Sequence, residues 1–454
     1  MSIDQFRLLS KYDVAVPRYT SYPTVPAWDF QSLQGDTWQS AVIRSFKQEN
    51  KELCIYIHLP FCEELCTYCA CNKRITKNHA VEIPYLESVL AEWEMYRALL
   101  ADTPVIREIH LGGGTPTFFS PEHLKQLING ITKHAIVAND HAFSVEVHPN
   151  YTNEQHLVAL QEVGFNRISL GVQDFDPVVQ FIINRPQTFE QTQHVIKTAR
   201  ALGFTGVNID LIYGLPKQTN DCIKLTMEKV KELMPDRIAF YSYAHVPWKS
   251  KGQRRYTDED VPVAEEKLQM YQTGSAYLHQ LGFSHIGMDH FALPTDALML
   301  AYQVGKLHRN FMGYTTTNHK LVIGLGASAI SDTWDAFAQN EKGVEAYQDA
   351  IASGRLPIIN GHNLNETDQL IRKHILDLMC RDTTTLVEEQ LPAGTFDAIM
   401  ERLSGFVEDG LISIEGGKIS ILPSGRLFIR NICSAIDLHL HSGSRQGNTF
   451  SKAI

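Results

Sequence analysis

No apolar run in the sequence reaches the roughly 18 residues that a membrane-spanning helix needs, so no membrane partner is expected. Positive charge is not in excess: 41 Lys and Arg against 51 Asp and Glu leave a formal net charge of -10. That balance argues against a general nucleic-acid binder, whose affinity comes largely from neutralising phosphates. The chain does not start with a charged n-region and an apolar h-region, so an oxidising compartment and structural disulfides are not expected. No second C-x2-C or His pair stands at the spacing of a structural zinc site. Long-period repeats and low-complexity tracts are absent as well. What is left is an ordinary globular composition, 44% hydrophobic and 20% charged over 454 residues. That length suits about two to four domains, or one large barrel with an appended domain.

Against these absences stands one dense feature. Of the eight cysteines, four fall between Ile55 and Arg74: Cys62, Cys66, Cys69 and Cys71. They directly follow an apolar run that reads as a buried strand. The first three have the spacing C-x3-C-x2-C, which wraps a short loop around one compact metal centre. An ordinary iron–sulfur cubane takes four thiolates; three from this loop leave one iron open to a substrate. A disulfide pair, a zinc site and fortuitous buried cysteines are the competing readings. Phe61, Leu65 and Tyr68 supply the apolar packing between the sulfurs. The remaining cysteines, Cys54, Cys222, Cys380 and Cys433, are scattered in apolar contexts and read as small hydrophobes.

Along the chain, Pro17–Thr24 carries two prolines that exclude a helix interior and reads as an arm, unusually rich in Arg18, Tyr19 and Tyr22. A helix is expected over Thr37–Gln48. Strand-like runs then appear at Leu53–His58, Val105–Leu111, Phe143–Val147, Arg167–Gly171, Val207–Tyr213 and Arg237–Tyr243, separated by amphipathic stretches. Ser120-Pro121 opens one helix, and Gly164, Gly203 and Gly282 each close one. Six strands alternating with helices imply parallel βαβ units, which either a doubly wound sheet or a barrel satisfies. After Tyr243 the pattern loosens. Beyond Asn360 the expected elements are helices Thr367–Arg381 and Phe396–Asp409, a hairpin over Gly410–Leu422, and a last helix Arg426–His439. Helices flanking a hairpin look like a winged helix, but without a basic recognition face the expectation is a cap over the barrel mouth.

In either parallel architecture ligands gather at the carboxyl ends of the strands. Cys62, Gly112-Gly113-Gly114-Thr115, Glu146, Gln173, Asp174 and Asp210 all fall there. The glycines lack the lysine of a phosphate loop and instead permit close approach of backbone to a ligand. Gly324-Leu325-Gly326-Ala327-Ser328-Ala329 fits a dinucleotide motif, but no second strand ending in a ribose-binding acid follows it. Glu146 and Asp210 are carboxylates in apolar strands, expensive to bury unless paired or ligand-bound. Arg185 can equally be a solvated helix charge. His58, His110, His148, His290 and His308 offer no i, i+4 ligand pair.

Together these residues resemble one family, the oxygen-independent coproporphyrinogen III oxidases of the radical S-adenosylmethionine (SAM) superfamily. The resemblance runs through P-R-Y-T-S-Y-P, C-x3-C-x2-C-x-C-N-K, L-G-G-G-T-P-T, G-V-Q-D-F, N-I-D-L-I-Y-G-L-P-K-Q-T, G-M-D-H-F-A, H-R-N-F-x-G-Y-T-T and the closing R-N-I-C. It implies an α/β fold: an incomplete (βα)6 TIM-type barrel over 51–359, with an N-terminal arm and helix at 1–50. A mainly helical C-terminal domain with a β-hairpin would occupy 360–454. It also implies a [4Fe-4S] cluster on Cys62, Cys66 and Cys69, with Cys71 in the motif but not a ligand, and two molecules of SAM. By matching positions, Tyr56, Gly113, Glu146 and Ile330 surround the cluster-bound SAM. Tyr68, Gly114, Thr115, Gln173, Arg185, Asp210 and Ala244 surround the second. His148 departs from the family, where Asp is frequent.

The resemblance further implies oxidative decarboxylation of two propionates of coproporphyrinogen III to vinyl groups, giving protoporphyrinogen IX in haem biosynthesis. The means is a 5′-deoxyadenosyl radical from SAM, since an unactivated propionate β-carbon offers no acidic proton. Arg18 and Arg309 are candidate partners of the substrate carboxylates. A reducing electron donor of unknown identity, a monomeric state and a cytoplasmic location are expected. The competing functions are a methylating or ring-opening radical SAM enzyme acting on a tetrapyrrole, a haem chaperone of the same superfamily, and a winged-helix regulator.

Overall fold

The protein is described by a computed structural model over residues 3–33, 36–442 and 450–452. The outer limits expected for the first and last domains, 1 and 454, lie outside the described residues.

Six strands, β1 (Glu52–Leu59), β2 (Val105–Gly113), β3 (Ile136–Val147), β4 (Phe165–Gln173), β5 (Gly206–Tyr213) and β6 (Arg237–Ser242), lie side by side in chain order. Each is parallel to the next. They are the six runs visible in the sequence, except that β3 starts earlier, at Ile136. Helices α1 (Glu82–Leu99), α2 (Pro121–Thr132), α3 (Glu154–Glu162), α4 (Phe189–Ala201), α5 (Asn220–Leu233) and α6 (Ala264–Gln280) alternate with them. The punctuation acts as its chemistry dictates. Ser120 Oγ accepts the His123 N–H at 3.2 Å ahead of Pro121, and Gly164, Gly203 and Gly282 take positive φ where helices end.

Residues of alternate parity face opposite sides of each strand. On the outside, Ile109, Leu111, Val145, Ile168, Leu170, Ile209 and Leu211 share one core with the helices, all of them nearly inaccessible. On the inside stand Ser144 and Glu146, Arg167 and Ser169, Asn208 and Asp210, and Arg237 and Tyr241, which line a cavity. A closed eight-stranded barrel fills its interior with branched apolar side chains. Here the barrel is incomplete and its interior is polar and open.

What flanks the six strands was not legible in advance. Beside β1 comes β-strand Val322–Leu325, also parallel, and then antiparallel Ile330–Asp332, Ala336–Asn340 and Ile358–Asn363. Beside β6 come antiparallel His290–Ala292 and Ser284–Ile286, completing a sheet of 12 strands. Strands of three to six residues are too short to carry a period. A separate hairpin, His308–Asn310 with Gly313–Thr315, lends Asn310, Tyr314 and Thr315 to the cavity wall.

A second core gathers the C-terminal elements and the N-terminal arm. Helices Glu366–Arg381 and Thr395–Glu408 pack with the hairpin Ile412–Glu415 and Lys418–Ile421, to which Thr383–Thr385 adds a third strand. The hairpin's apolar residues point into this core, and none of them lines the cavity. Tyr12, Val16, Tyr19 and Tyr22 of the arm are buried here, so the segment is no loose strap. Tyr19 Oη donates to Asp437 at 3.0 Å, and Arg430 donates to the carbonyls of Val16 and Pro17. The single last helix expected over Arg426–His439 is broken. A 3-10 turn, Pro423–Phe428, precedes helix Ile429–Ile436, and Asp437 then caps the short helix Leu438–His441 by accepting the Leu440 N–H at 2.9 Å. Among the described residues no helix is long and apolar enough to cross a membrane.

Candidate active site

The cysteine loop leaves β1 through Phe61, whose ring is 1% exposed among Tyr85, Phe118 and Phe119. Backbone bonds hold the loop to the glycine turn after β2. The Gly114 N–H donates to Leu59 O at 2.8 Å and the Thr115 N–H to Phe61 O at 2.9 Å. A Cβ on Gly114 would fall 2.7 Å from Phe61 O, and one on Gly113, at φ +111, 2.7 Å from the His58 ring. Only glycine permits this approach.

Cys62, Cys66, Cys69 and Cys71 are all free thiols lining one lobe of the interior cavity. Thr115 Oγ1 donates to Cys62 Sγ at 3.5 Å, and Arg185 Nη1 to Cys66 Sγ at 3.3 Å. Burial pushes the Cys62 thiol up to about 11, against the Thr115 bond. Cys69 is held below the ordinary thiol value by the Cys71 thiol donating to it and by Lys73, and Cys71 is raised in return. Lys73 Nζ also donates to the carbonyls of Cys69 and Cys71.

The thiols converge without crowding. Among the described residues the one group of three or more metal-ligating atoms within 4.8 Å of one another is His362, Asp368 and His439, far from this loop in the chain. The sulfurs are therefore spread more widely than around a single zinc ion, whose ligands sit about 2.3 Å from the metal. A multi-iron body between them is what this spacing and donor set fit. The His362 group is an ion-pair clamp. His362 Nδ1 accepts the Asp29 N–H at 3.1 Å, so its proton is on Nε2, turned toward Asp368 rather than offering a lone pair to a metal.

A second lobe is lined by Tyr56, His58, Cys71, Gly113, Glu146, Ser328 and Ile330. His58 Nε2 donates to Asn72 O at 2.9 Å, so Nδ1 accepts the Tyr56 hydroxyl, also at 2.9 Å. A third lobe extends down the barrel past Ser144, Arg167 and Arg237. Glu146 lines all three. Its side chain is 45% exposed to this cavity. Burial works to raise its pKa, but the His110 bond at 3.2 Å and the Gly113 N–H at 3.3 Å outweigh it and hold the carboxyl below its ordinary value. Asp210 goes the other way. Burial, and then the Glu146 charge, push it up to about 7 although Asn208 and Ser169 donate to it. The two carboxylates thus carry different charge near neutrality.

Arg185 is no solvated helix charge: it is 8% exposed and gives Nε and Nη2 to Gly171 O. Burial opposes its charge, while Tyr68 and Cys66 sustain it. Gln173 takes φ +71 at a bulge in β4, which turns its side chain toward Arg185. Of the residues singled out in the sequence, Tyr68, Gly114, Thr115, Gln173, Arg185 and Asp210 line the cysteine lobe, and Tyr56, Gly113, Glu146 and Ile330 the second. Ala244 lines neither; its carbonyl accepts from Gln253 at 3.3 Å. His148 caps the turn after β3 by accepting the Asn150 N–H, and burial, with Arg185 nearby, lowers its pKa to about 2.

Arg18 pairs with Asp289 and lies 5.5 Å from the Tyr241 ring centre. Arg309 stacks 4.6 Å over Tyr314, and its Nε has no hydrogen-bond partner. Not singled out in the sequence are Arg167, whose guanidinium lines the third lobe and forms no ion pair among the described residues, and Glu108, which takes the hydroxyls of Thr315 and Thr317 at 2.6 Å. The period-two pattern Arg167, Ser169, Gly171 along β4 was the available signal.

Comparison with known proteins agrees with this geometry. The model of the radical SAM superfamily matches residues 56–230. The chain is 40% identical over 454 residues to an oxygen-independent coproporphyrinogen III oxidase of Pseudomonas aeruginosa, with 98% of each chain covered. To the enzyme of that name from Escherichia coli it is 37% identical over 463 residues, covering 100% of both. The solved structure of coproporphyrinogen III oxidase from Escherichia coli, described as a radical SAM enzyme, superposes with a TM-score of 0.88 over 93% of this chain and 98% of that one.

Proposed function

The chain belongs to the oxygen-independent coproporphyrinogen III oxidases of the radical SAM superfamily, and from that premise we propose how its cavity is divided between cofactors and substrate. It is an oxidoreductase of haem biosynthesis that carries a [4Fe-4S] cluster and uses SAM to turn two propionates of coproporphyrinogen III into vinyl groups, with loss of carbon dioxide. Bound together, cluster and SAM would supply a 5′-deoxyadenosyl radical able to take hydrogen from an unactivated carbon.

Cys62, Cys66 and Cys69 hold the cluster, and Cys71 is their hydrogen-bonding neighbour. Supporting this, Thr115 and Arg185 donate hydrogen bonds to two of the three sulfurs. Tyr56, Gly113, Glu146 and Ile330 hold the SAM at the cluster, where Glu146 presents an ionised carboxylate to an ammonium group. Tyr68, Gly114, Thr115, Gln173, Arg185 and Asp210 receive a second SAM, with Ala244 supporting from behind. The two lobes meet at Cys71, Gly113 and Glu146. The substrate takes the third lobe and the space toward Tyr241; Arg18 and Arg309 line no lobe themselves but lie against the rings of Tyr241 and Tyr314, which do, and are the candidate partners of its carboxylates. The enclosing walls keep water from the reacting carbon.

The proposal extends to a monomer acting in the cytoplasm with a reducing electron donor, and without nucleic-acid or membrane partners. Eight free thiols and a cluster that must be reduced support a reducing compartment. Three domains are proposed: an arm at 1–50, the barrel with its extension at 51–359, and the C-terminal domain at 360–454. The arm's burial in the C-terminal core ties the first to the last. The observation that carries the reading is the meeting of three free thiols, Arg185 and Glu146 in one barrel cavity. The test is anaerobic reconstitution with iron, sulfide, reductant, SAM and coproporphyrinogen III, followed by mass analysis of the porphyrin. Vinyl formation is expected; a methylated or ring-opened product overturns the reading.

A further inference from the structure

The outer side of the cysteine loop is clamped by a segment that the reaction leaves without a role. Gln253, 1% exposed, donates Nε2 to Tyr68 O at 2.9 Å while its Oε1 accepts the Val246 N–H at 2.6 Å. Ser250 Oγ donates to Cys69 O at 3.0 Å, and a Cβ on Gly252 would stand 3.0 Å from Thr67 O. The 3-10 turn Lys251–Arg255 therefore lies against the backbone that carries the sulfurs, with a single thickness of chain between.

The opposite side of this segment faces solvent with a composition unlike the rest of the chain. The run Trp248-Lys249-Ser250-Lys251-Gly252-Gln253-Arg254-Arg255 holds four cations and no acid, in a protein of net charge -10. Lys251, Arg254 and Arg255 are exposed and form no ion pair among the described residues. Arg254 donates Nε to Pro247 O at 3.2 Å, and the Arg255 guanidinium lies 5.6 Å over the Phe181 ring. Of the neighbouring acids, Glu64 faces Lys77 and Asp260 faces Lys217, while Asp258, beside His245, and Glu259 follow the run in the chain. Around the cations Trp248 is 52% exposed, Val178 58% and Phe181 71%. Asn184 Nδ2 donates to Leu65 O at 2.9 Å, which ties this second apolar flank to the same loop. Exposed apolar side chains grouped with arginine mark association surfaces rather than ordinary solvated ones.

We infer that the Trp248–Arg255 segment, with Phe181 and Val178 beside it, is the docking surface for an acidic one-electron carrier protein that reduces the cluster. The inference rests on the assignment of Cys62, Cys66 and Cys69 as cluster ligands. The exposed charge of Lys251, Arg254 and Arg255 next to the loop steers an acidic partner to it, and the apolar rim supplies a short-lived contact. One electron passes from the carrier's reduced cofactor to the cluster: the carrier is oxidised by one electron, the cluster reduced by one. The clamp leaves the carrier one chain thickness from the sulfurs.

The experiment uses the full reconstituted chain and reduced flavodoxin, an acidic flavin carrier. Cluster bleaching is followed by anaerobic stopped flow over a series of salt concentrations. For Lys251→Glu/Arg254→Glu/Arg255→Glu the bimolecular rate at low salt falls at least tenfold and its salt dependence flattens, as loss of steering requires. Arg254→Lys/Arg255→Lys, which keeps the charge, retains most of the rate. Turnover driven by excess dithionite and the KM for coproporphyrinogen III stay at their wild-type values in both. An unchanged rate with flavodoxin overturns the proposal while the cluster assignment stands. So does an equal loss with dithionite, which makes the segment part of the loop's fold, or a raised KM with dithionite, which gives the charges to the tetracarboxylate substrate. Absence of cluster absorbance in the wild type would instead overturn the underlying assignment.

Discussion

Replacing Glu92 by glutamine should reverse the sign of its effect on stability between pH 5 and pH 8. Glu92 lies on α1, is 0% exposed, and accepts three bonds: the Gly326 N–H at 2.8 Å, Tyr347 Oη at 2.7 Å and Asn340 Nδ2 at 2.6 Å. Burial nonetheless dominates and raises its pKa from 4.5 to about 7. Between those values the folded chain binds the proton more tightly than the unfolded one, so folding stability falls as pH rises through this window. Below about 4.5 both states are protonated and the penalty vanishes. Above 7 it is complete, at about 3 kcal/mol. Glutamine carries no charge and escapes the penalty, but it gives up one acceptor oxygen, a loss of about 1 kcal/mol. Glu92→Gln is thus expected to be slightly less stable than wild type at pH 5 and more stable by about 2 kcal/mol at pH 8. Thermal midpoints of the two proteins, measured side by side across this range, give the comparison. An offset of the same sign and size at both ends would refute the reasoning. Because Glu92 holds Gly326, in the turn that leads to Ile330, SAM affinity reports the same change locally.

Gly113→Ala places a Cβ 2.7 Å from the His58 ring at φ +111, so SAM affinity is expected to drop more than tenfold while iron content stays normal; equilibrium dialysis under anaerobic conditions measures it. Asp332→Asn strands Arg372, 4% exposed and lying over the rings of Trp334 and Phe337, next to a neutral side chain. A cost of about 3 to 5 kcal/mol is expected, visible as a lowered thermal midpoint and relieved by adding Arg372→Met. Arg309→Met keeps much of the contact with Tyr314 but removes the charge; the KM for coproporphyrinogen III should rise about tenfold or more, as loss of a charge-assisted pair predicts, with SAM binding unchanged. Cys66→Ser removes a proposed cluster ligand together with the Arg185 contact, and iron content and visible absorbance should both fall.

Much of the framework was readable because local rules produce it. Six alternating strands with capped helices between them are set by side-chain period and by Ser, Pro and Gly at helix ends, and these need no distant partner. The cysteine spacing and the glycine turn were legible for the same reason, since their chemistry is contained in a few consecutive residues. The resemblance implied which residues would surround SAM, and the cavity gathers all of them except Ala244.

Other features exist only once distant segments meet. The short strands on both flanks of the sheet, parallel beside β1 and antiparallel beyond it and beside β6, owe their existence to the sheet edges they cover, not to their own sequences. The arm looked like a surface strap because its prolines forbid a helix, yet Asp437 and Arg430, some 400 residues on, draw it into a buried core. The opposite pKa shifts of Glu146 and Asp210 follow from His110 and Gly113 reaching one and not the other, which no reading along a single strand reveals. Periodicity and spacing are properties of neighbours in the chain, so the sequence alone determined the barrel strands and the thiol loop. Burial, pairing and protonation depend on neighbours in space, and these only the tertiary structure decided.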